Sequence, residues 1–365
     1  MKSPTAVIRD VRPQVFVVPT DTPESDGTFE WASTTMIAVT ISGGGRQGLG
    51  YTYGHSAAAH VIQETLAPLV RGHDAMAVDS CWRAMLRAVR NVGLPGIAAT
   101  AISAVDNALW DLKAKLLDLP LVTLLGAVRE SVPIYGSGGF TSYSDLQLEQ
   151  ELRDWVRQGI SRVKMKLGRH PEADVHRVAI ARAAIGERAE LFVDANGGYT
   201  RKQALGFASA FADYGVTWFE EPVSSDDLEG LRLIRDHVPA GMDVAAGEYG
   251  FDVWYFRRML EARAVDVLQA DATRCCGISG FLHAGMLCET AMIPLSAHTA
   301  PALHVHLGCA VPRVRHLEWF HDHVRVERLL FDGAPEPVEG ELRPDRSRPG
   351  LGLTLKLTDA ARYAA

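Results

Sequence analysis

Three acidic side chains close three successive apolar runs in the middle of the sequence. They are Asp194, Glu220 and Glu248. If the runs are neighbouring parallel strands, the carboxylates converge at one edge of the sheet, where like charges cannot share a small space without a cation. Carboxylate oxygens are hard ligands that select Mg²⁺, or Mn²⁺, over zinc. Any one of these acids alone would fit a helix N-cap or a solvated strand end, but the three together predict a metal site.

Two lysines lie one residue apart in the run Val163-Lys164-Met165-Lys166-Leu167. On a strand, side chains alternate between the two faces, so Lys164 and Lys166 share one face. Removing an ammonium group from water costs several kcal/mol unless anions lie nearby. The pattern therefore predicts a carboxylate-rich cavity in front of both lysines. The alternative is an edge strand that carries two solvated lysines.

An acid and a histidine follow the next two apolar runs. They are Asp271 and His298. A carboxylate bonded to one imidazole nitrogen fixes the tautomer and raises the basicity of the other nitrogen, so this pair predicts a general acid or base. Glu318, in the final run, would close the ring of polar side chains. Taken singly, His298 fits an ordinary hydrogen-bonded histidine, and Glu318 fits a salt bridge to a nearby arginine.

The elements that carry these residues are short β-rich runs separated by amphipathic helical stretches. The runs are Val132 to Tyr135, Arg162 to Leu167, Leu191 to Ala195, Thr217 to Glu221, Asp243 to Glu248, Val265 to Asp271, Met292 to Ala297 and Arg315 to Trp319. About eight such units predict a closed, TIM-like (β/α) barrel over residues 126–325. A doubly wound open sheet is the competing fold. The barrel is favoured because the polar residues fall at the carboxyl ends of the runs, where barrel active sites gather.

The first part of the chain, residues 1–125, mixes strand-like and helix-like patterns and predicts an α+β capping domain. A hairpin is predicted over residues 29–53, with glycines at its turn. Helices are predicted over residues 57–70 and 95–117. The final segment, residues 326–365, is rich in Pro, Gly and charge, and we expect it to return to the capping domain.

Composition excludes several classes of partner. The 365 residues include 37 basic and 44 acidic side chains, a net charge of −7, which would repel a nucleic acid. No apolar run reaches the ~18 residues that a membrane span needs. The five cysteines form no Cys-x-x-Cys pair, and the amino terminus lacks a secretory h-region. We therefore expect a cytoplasmic protein without nucleic acid or membrane partners.

The order and spacing of these residues resemble the enolase superfamily and, within it, the mandelate racemase subgroup. The likeness covers most of the chain and implies a modified (β/α) barrel with an α+β cap. The muconate lactonizing subgroup is less similar, because its pattern has a lysine after the run that ends at Glu248, and none occurs there.

The resemblance also implies a role for each residue of the pattern. Lys166 would be one base, and His298 with Asp271 would be the other. The metal ligands for Mg²⁺ would be Asp194, Glu220 and Glu248. The groups that bind the substrate carboxylate or act as electrophiles would be Lys164, Asn196 and Glu318.

The chemistry that this arrangement suits is removal of a proton α to a carboxylate. The product is an enediolate, whose charge a divalent ion and an ammonium group stabilise where it develops. The enolase superfamily is a standard example of Lys or His bases that act with Mg²⁺. Lys166 must be neutral to act as a base, and we expect Lys164 and Mg²⁺ to lower its pKa.

The polar, acidic segment over residues 20–31 favours a polyhydroxy acid substrate, although a solvated surface loop would look the same. Glu24, Tyr53 and His55 are the candidate contacts from the capping domain. We predict an acid sugar dehydratase that yields a 2-keto-3-deoxy acid and forms a homo-oligomer. One alternative is a racemase or epimerase that uses the same bases. Another is a barrel that binds a metal and a sugar acid without catalysis.

Overall fold

The structure, a computed structural model, describes residues 6–365. It begins with a three-stranded antiparallel sheet in the order β1 (Ile8–Ser25), β2 (Glu30–Gly43) and β3 (Arg46–Tyr53). The predicted hairpin corresponds to β2 and β3. The long strand β1, which pairs with β2 over most of its length, has no counterpart among the predicted elements.

Both faces of this sheet are buried. Along β2, Ile37, Val39 and Ile41 point into a cluster with the first helices, whereas Met36 and Ala38 point into the larger core that includes the barrel. The helices against the sheet are α1 (Ala57–Val61), a π-helical turn (Ile62–Leu66), α2 (Ala67–Val70), α3 (Val78–Ala88) and α4 (Ile97–Leu116). Each fully buried aliphatic side chain contributes roughly 1.5–3 kcal/mol to the stability of the fold. The two apolar layers therefore hold the sheet between them.

Helix α4 approaches β3 so closely that only glycine fits at two positions. A Cβ atom at Gly48 would lie 2.2 Å from the carbonyl oxygen of Ala108, and one at Gly50 would lie 2.3 Å from the backbone nitrogen of Ala108. Gly48 and Gly50 therefore allow the close packing of β3 against α4.

Eight parallel strands then close into a barrel. They are β4 (Val132–Gly138), β5 (Arg162–Lys166), β6 (Glu190–Asp194), β7 (Val216–Glu220), β8 (Asp243–Ala246), β9 (Val267–Ala270), β10 (Leu295–Ala297) and β11 (Val314–Phe320). Each pairs with the next, and β11 pairs with β4, with Leu317 opposite Ile134. This closure confirms the predicted barrel and excludes the open doubly wound sheet.

Helices surround the barrel on its outer side. They are α5 (Leu121–Leu125), α6 (Asp145–Arg157), α7 (Pro171–Ile185), α8 (Arg201–Ala212), α9 (Leu228–Arg235), α10 (Val253–Glu261), α11 (Gly277–Ala291), α12 (Pro301–Ala310) and α13 (His321–Leu330). Ser144 and Thr200 start α6 and α8 with capping boxes, in which the side chain accepts from the backbone N–H three residues on. None of the helices in the described part of the chain combines the length and hydrophobicity that a membrane crossing requires.

The last residues run back to the first sheet. The short elements are β12 (Phe331–Asp332), β13 (Glu341–Leu342), β14 (Thr354–Leu355), α14 (Leu357–Ala360) and a 3₁₀ turn (Ala361–Tyr363). Asp111 of α4 accepts from the backbone N–H groups of Leu49 and Leu351, both at 2.6 Å, and Ala365 donates its N–H to Val15. The division at residues 125 and 325 stays a prediction.

The contact between β3 and α4 yields a stability prediction. Gly50→Ala should lower the free energy of unfolding by about 1–3 kcal/mol, because the added methyl group forces the strand and helix apart. Gly206→Ala is the matched control: no atom lies within 4 Å of a Cβ there, and alanine favours the helix, so stability should be unchanged or slightly higher. Urea denaturation measures both, and equal effects of the two substitutions would contradict this packing.

Candidate active site

The polar side chains that follow the barrel strands meet at one end of the barrel. Strand register places Lys166 of β5 beside Asp194 of β6, and Asp194 beside Glu220 of β7. Beneath them, the barrel interior is filled by an apolar cluster, which comprises Tyr135, Phe192, Trp218, Ala245 and Val267. This filling confines the polar residues of the site to the carboxyl-terminal mouth of the barrel.

The three predicted metal ligands lie together. Asp194, Glu220 and Glu248 are buried, and each offers an oxygen within 4.8 Å of an oxygen from the other two. Among the residues that the structure describes, the buried Oε2 atom of Glu248 has no hydrogen-bond partner. Three carboxylates with an unpaired buried oxygen fit a hard divalent cation such as Mg²⁺, whose ligands are oxygens. We therefore assign a Mg²⁺ site to these residues as a proposal.

Lys164 balances much of the carboxylate charge. Its Nζ atom is fully buried and lies 2.5 Å from Glu220 Oε1, 2.8 Å from Glu318 Oε1 and 3.4 Å from Asp194 Oδ2. Burial disfavours the ammonium form, but the surrounding carboxylates outweigh burial and raise the pKa of Lys164 well above its usual value. The surrounding carboxylates therefore favour the ammonium form of Lys164.

Glu318 is held as a carboxylate by its neighbours. Ser137 donates its hydroxyl to Oε1 at 2.6 Å, and the backbone N–H of Thr299 donates to Oε2 at 3.0 Å. Burial opposes ionisation, but Lys164 and His298 outweigh it and lower the pKa of Glu318 below its usual value. The side chain is thus fixed and charged at the edge of the cavity.

Lys166 lies at the surface of the cavity, with its Nζ atom 2.6 Å from Asp194 Oδ2. Burial favours the neutral amine, but the carboxylate of Asp194 outweighs it and raises the pKa of Lys166. Lys164 lowers this pKa, as predicted, but its effect is smaller than that of Asp194, whose carboxylate lies nearest to the amine. The predicted lowering by Mg²⁺ stays a prediction.

His298 and Asp271 form the predicted pair. His298 Nδ1 lies 2.9 Å from Asp271 Oδ2, while Nε2 lies 3.4 Å from Glu248 Oε2. Thr273 donates its N–H and its hydroxyl to Asp271 Oδ1. Burial opposes ionisation of Asp271, but the hydrogen bond and charge of His298 outweigh it and lower the pKa of Asp271. The carboxylate fixes the ring, and Nε2 is left on the side of the metal ligands.

A cavity of about 380 Å³ opens above these residues. Of the predicted site residues it is lined by Lys166, Asn196, Glu248, His298, Glu318 and Tyr53. Lys164, Asp194 and Asp271 are not on its surface but contact Glu318, Lys166 and His298, which are. Glu220 also lies beneath the surface, with an oxygen within 4.8 Å of one from Glu248. Tyr53 stacks on His323, with ring centroids 3.5 Å apart.

Two of the candidate contacts from the first domain lie away from this cavity. Glu24 is completely buried and accepts a hydrogen bond of 2.8 Å from Trp31 Nε1. Burial and the charge of Asp322 raise the pKa of Glu24 to about 8. His55 is exposed, and its Nδ1 accepts from the backbone N–H of Ala57. The sequence indicates that this region reaches the cavity, but does not indicate which side chains point inward.

The side chains that do reach the cavity from residues 20–31 are partly aromatic. Phe29 and Trp31 stack at 6.2 Å between centroids and line the cavity together with Asp26. The interpretation of residues 20–31 as a polar, acidic segment is therefore incomplete, because its two aromatic side chains form part of the cavity wall. The strand pairing of β1 with β2 explains the difference, because it turns Glu24 inward and leaves the aromatic rings over the barrel mouth.

Sequence reasoning also missed Arg274 and Tyr249. Arg274 Nη1 lies 3.3 Å from Glu248 Oε1, and its guanidinium lies over the Tyr249 ring at 5.2 Å from the centroid. Both residues line the cavity. Arg274 lies three residues after Asp271. Its position just beyond the polar end of that apolar run was the sequence feature that could have identified it as a site residue.

Comparison with known families matches nearly the whole chain. The model described as mandelate racemase / muconate lactonizing enzyme, N-terminal domain, matches residues 7–126. The model described as enolase C-terminal domain-like matches residues 147–360.

Individual relatives are similar over most or all of their length. A protein of Salmonella typhimurium named L-talarate/galactarate dehydratase is 33% identical over an alignment that covers 94% of this chain and 88% of that protein. A mandelate racemase/muconate lactonizing enzyme-like protein from Rubrobacter xylanophilus has a crystal structure with a TM-score of 0.96 and 54% identity, covering 98% of this chain and 100% of that one. A racemase from Streptomyces coelicolor, solved with bound magnesium, has a TM-score of 0.93 and 30% identity, covering 98% of this chain and 100% of that one.

The contacts of Lys164 yield a second prediction. Lys164→Met should lower the free energy of unfolding by about 3–5 kcal/mol in the absence of divalent cations, because it leaves buried carboxylates without their counter-charge. Lys202→Met, at an exposed position of α8, is the control and should have little effect. Mg²⁺ should restore part of the loss in Lys164→Met. Chemical denaturation measures the free energy of unfolding of both variants. Equal stability of Lys164→Met and Lys202→Met would contradict the assigned charge balance.

Proposed function

The chain belongs to the mandelate racemase and muconate lactonizing enzyme family of the enolase superfamily, and on that premise we propose that it is a Mg²⁺-dependent acid sugar dehydratase. The observation that carries the proposal is that Lys166 and His298 line the same cavity as Glu248, whose carboxylate lies within 4.8 Å of two further acids. This brings two groups able to transfer protons to one candidate metal centre.

The first step in the proposed reaction is removal of the α-proton by Lys166. The lysine must be neutral for this step; the carboxylate that raises its pKa is Asp194, a proposed Mg²⁺ ligand, so a bound cation would offset the charge that keeps Lys166 protonated. When bound, Mg²⁺ supplies positive charge to the acids and to the enediolate oxygens that form as the proton leaves. Lys164, as a fixed cation, keeps the acids in place and adds to the positive potential beneath the substrate.

The second step is departure of the β-hydroxyl group. His298 Nε2 faces the cavity while Asp271 holds Nδ1–H, so His298 in its protonated form can donate the Nε2 proton to the leaving oxygen. The α C–H and β C–O bonds break, one water leaves, and the resulting enol rearranges to a 2-keto-3-deoxy acid. Asp271 acts as a positioning residue that stabilises the charged ring.

Unpartnered polar atoms support a polyhydroxy substrate. The hydroxyl of Tyr53 and Oδ1 of Asn196 are buried at the cavity without a hydrogen-bond partner within the described residues. Buried polar atoms cost about 1–3 kcal/mol each when left unpaired, so a ligand rich in hydroxyl groups satisfies them better than an apolar one. Phe29 and Trp31 offer apolar surfaces for the C–H face of a sugar chain. The Salmonella relative, named a dehydratase of talarate and galactarate, agrees with this class.

Racemisation or epimerisation is the second candidate. The same Lys166 and His298 would then exchange protons with one α-carbon, and the Streptomyces coelicolor relative solved with magnesium is described as a racemase. The two functions differ only in whether His298 protonates carbon or oxygen. A homo-oligomer located in the cytoplasm remains our prediction from the sequence.

Proton NMR in D₂O with Mg²⁺ tests the reaction. A panel of monocarboxylic and dicarboxylic sugar acids, with aromatic hydroxy acids included, should contain one that yields new 3-deoxy methylene signals. Deuterium at the α-carbon without loss of water would identify a racemase or epimerase. The absence of both signals for every α-hydroxy acid would contradict the proposed class of reaction.

The same assay tests the residue assignments. Lys166→Ala and His298→Asn should each lower turnover by about a hundredfold or more while Mg²⁺ binding persists. Lys202→Ala is the matched control and should retain full activity, since it alters an exposed lysine of α8. Unchanged turnover in both site variants would refute the assignment, and a sugar acid that binds without turnover in the wild type would identify a non-catalytic binding barrel.

A further inference from the structure

A second cluster of metal-ligating side chains lies outside the cavity, where the first sheet meets the barrel. Asp21 and Glu24 belong to β1, and His321 is the first residue of α13. Each offers a ligand atom within 4.8 Å of one from the other two. None of them lines the cavity of the candidate active site. We propose that Asp21, Glu24 and His321 bind a second divalent cation, of the borderline class that Zn²⁺ represents.

An unpaired atom at this cluster points to a ligand. Glu24 is completely buried, and its Oε2 accepts a hydrogen bond from the Trp31 indole, yet its Oε1 has no hydrogen-bond partner in residues 6–365. A buried carboxylate oxygen without a partner carries a high desolvation cost. A cation that Asp21 and His321 share with Glu24 would remove that cost.

The surroundings of the three side chains are those of a supported metal site. His321 Nε2 lies 3.0 Å from Asp21 Oδ2, while Nδ1 lies 3.2 Å from Glu151 Oε1. Glu151 is itself fixed by the backbone N–H of Gly139, which donates to Oε2 at 2.6 Å. Metal-bound histidines commonly have a carboxylate beside their second ring nitrogen, as Glu151 lies beside Nδ1 here, and the ligating carboxylates are in turn hydrogen-bonded, as Glu24 is by Trp31.

The donor set separates this site from the Mg²⁺ site. One imidazole nitrogen and two carboxylates suit Zn²⁺ and its neighbours in the first transition row, whereas an all-oxygen set suits Mg²⁺. Asp21 is 45% exposed and His321 is 27% exposed, so a cation has access from solvent and room for a water ligand.

The competing arrangement is a plain ion pair. Burial opposes protonation of His321, but Glu151 and Asp21 outweigh it and raise the pKa of His321 to about 9. A bound cation must therefore displace the proton on Nε2. This competition makes direct metal analysis the appropriate test.

The position of the site connects it with the cavity. Trp31, which holds Glu24, lines the cavity, and so does Phe320, which precedes His321. A cation here would fasten strand β1 to helix α13 and thereby fix the aromatic wall over the barrel mouth. This role is independent of which reaction the barrel performs.

The test is zinc analysis of the full-length protein after equilibrium dialysis against Zn²⁺ with excess Mg²⁺. Asp194→Asn should weaken zinc binding at the Mg²⁺ site, so that one equivalent of zinc remains bound to the protein, at the second site. In that background, Glu24→Gln and His321→Asn should each remove the remaining equivalent. The control is the exposed pair of His176 and Asp145, whose Nε2 and Oδ2 atoms lie 3.0 Å apart. His176→Asn should leave the zinc content unchanged.

Several outcomes would overturn the proposal. One is that the Asp194→Asn protein binds no zinc. Another is that zinc is retained after both Glu24→Gln and His321→Asn. A third is that the His176→Asn control loses as much zinc as those two variants. Should Glu24→Gln fail to fold, Asp21→Asn carries the test, because Asp21 is partly exposed. Anomalous diffraction from a zinc-soaked crystal should place a peak among the three side chains, and a peak only at Asp194 and Glu220 would contradict the second site.

Discussion

Lys164 lies fully buried at the mouth of the barrel, within 2.8 Å of Glu220 and Glu318, and the balance between ammonium and carboxylate charge there governs the rest of the site. Each buried charge costs several kcal/mol in lost hydration, so neither sign is tolerated alone. The carboxylates at this mouth outnumber the lysines and arginine; they are Asp194, Glu220, Glu248, Asp271 and Glu318, against Lys164, Lys166 and Arg274. This excess of negative charge is the physical reason for a divalent cation.

The fold meets this requirement through strand register. Because β5, β6 and β7 pair in parallel, Lys166, Asp194 and Glu220 end side by side with no need for loop flexibility. The apolar filling of the barrel removes water from below, and residues from β1 to β3 cover the mouth from above. The site therefore combines fixed charges with low hydration, the condition under which electrostatic stabilisation of an enediolate is strongest. The family relationship agrees with this chemistry.

Much of this arrangement could be predicted from the sequence, because strands carry a simple period. Alternation placed Lys164 and Lys166 on one face, and the polar tips of successive runs indicated both the barrel and its ring of acids. Contacts between segments that are far apart in the sequence leave no periodic pattern of this kind. Whether Glu24 or Trp31 points to the cavity depends on the pairing of β1 with β2, which the sequence pattern did not indicate. The sign of the pKa shift of Lys166 depends on a 2.6 Å contact with Asp194, and sequence spacing does not give distances.

The most direct test of the central claim is calorimetric titration of Mg²⁺ into wild-type protein and into Glu220→Gln. If the acids form one cation site, the wild type should bind a single equivalent of Mg²⁺, and Glu220→Gln should bind it at least about tenfold more weakly, a loss of about 1.4 kcal/mol. Equal Mg²⁺ affinity in the two proteins, or no binding in the wild type, would contradict the account.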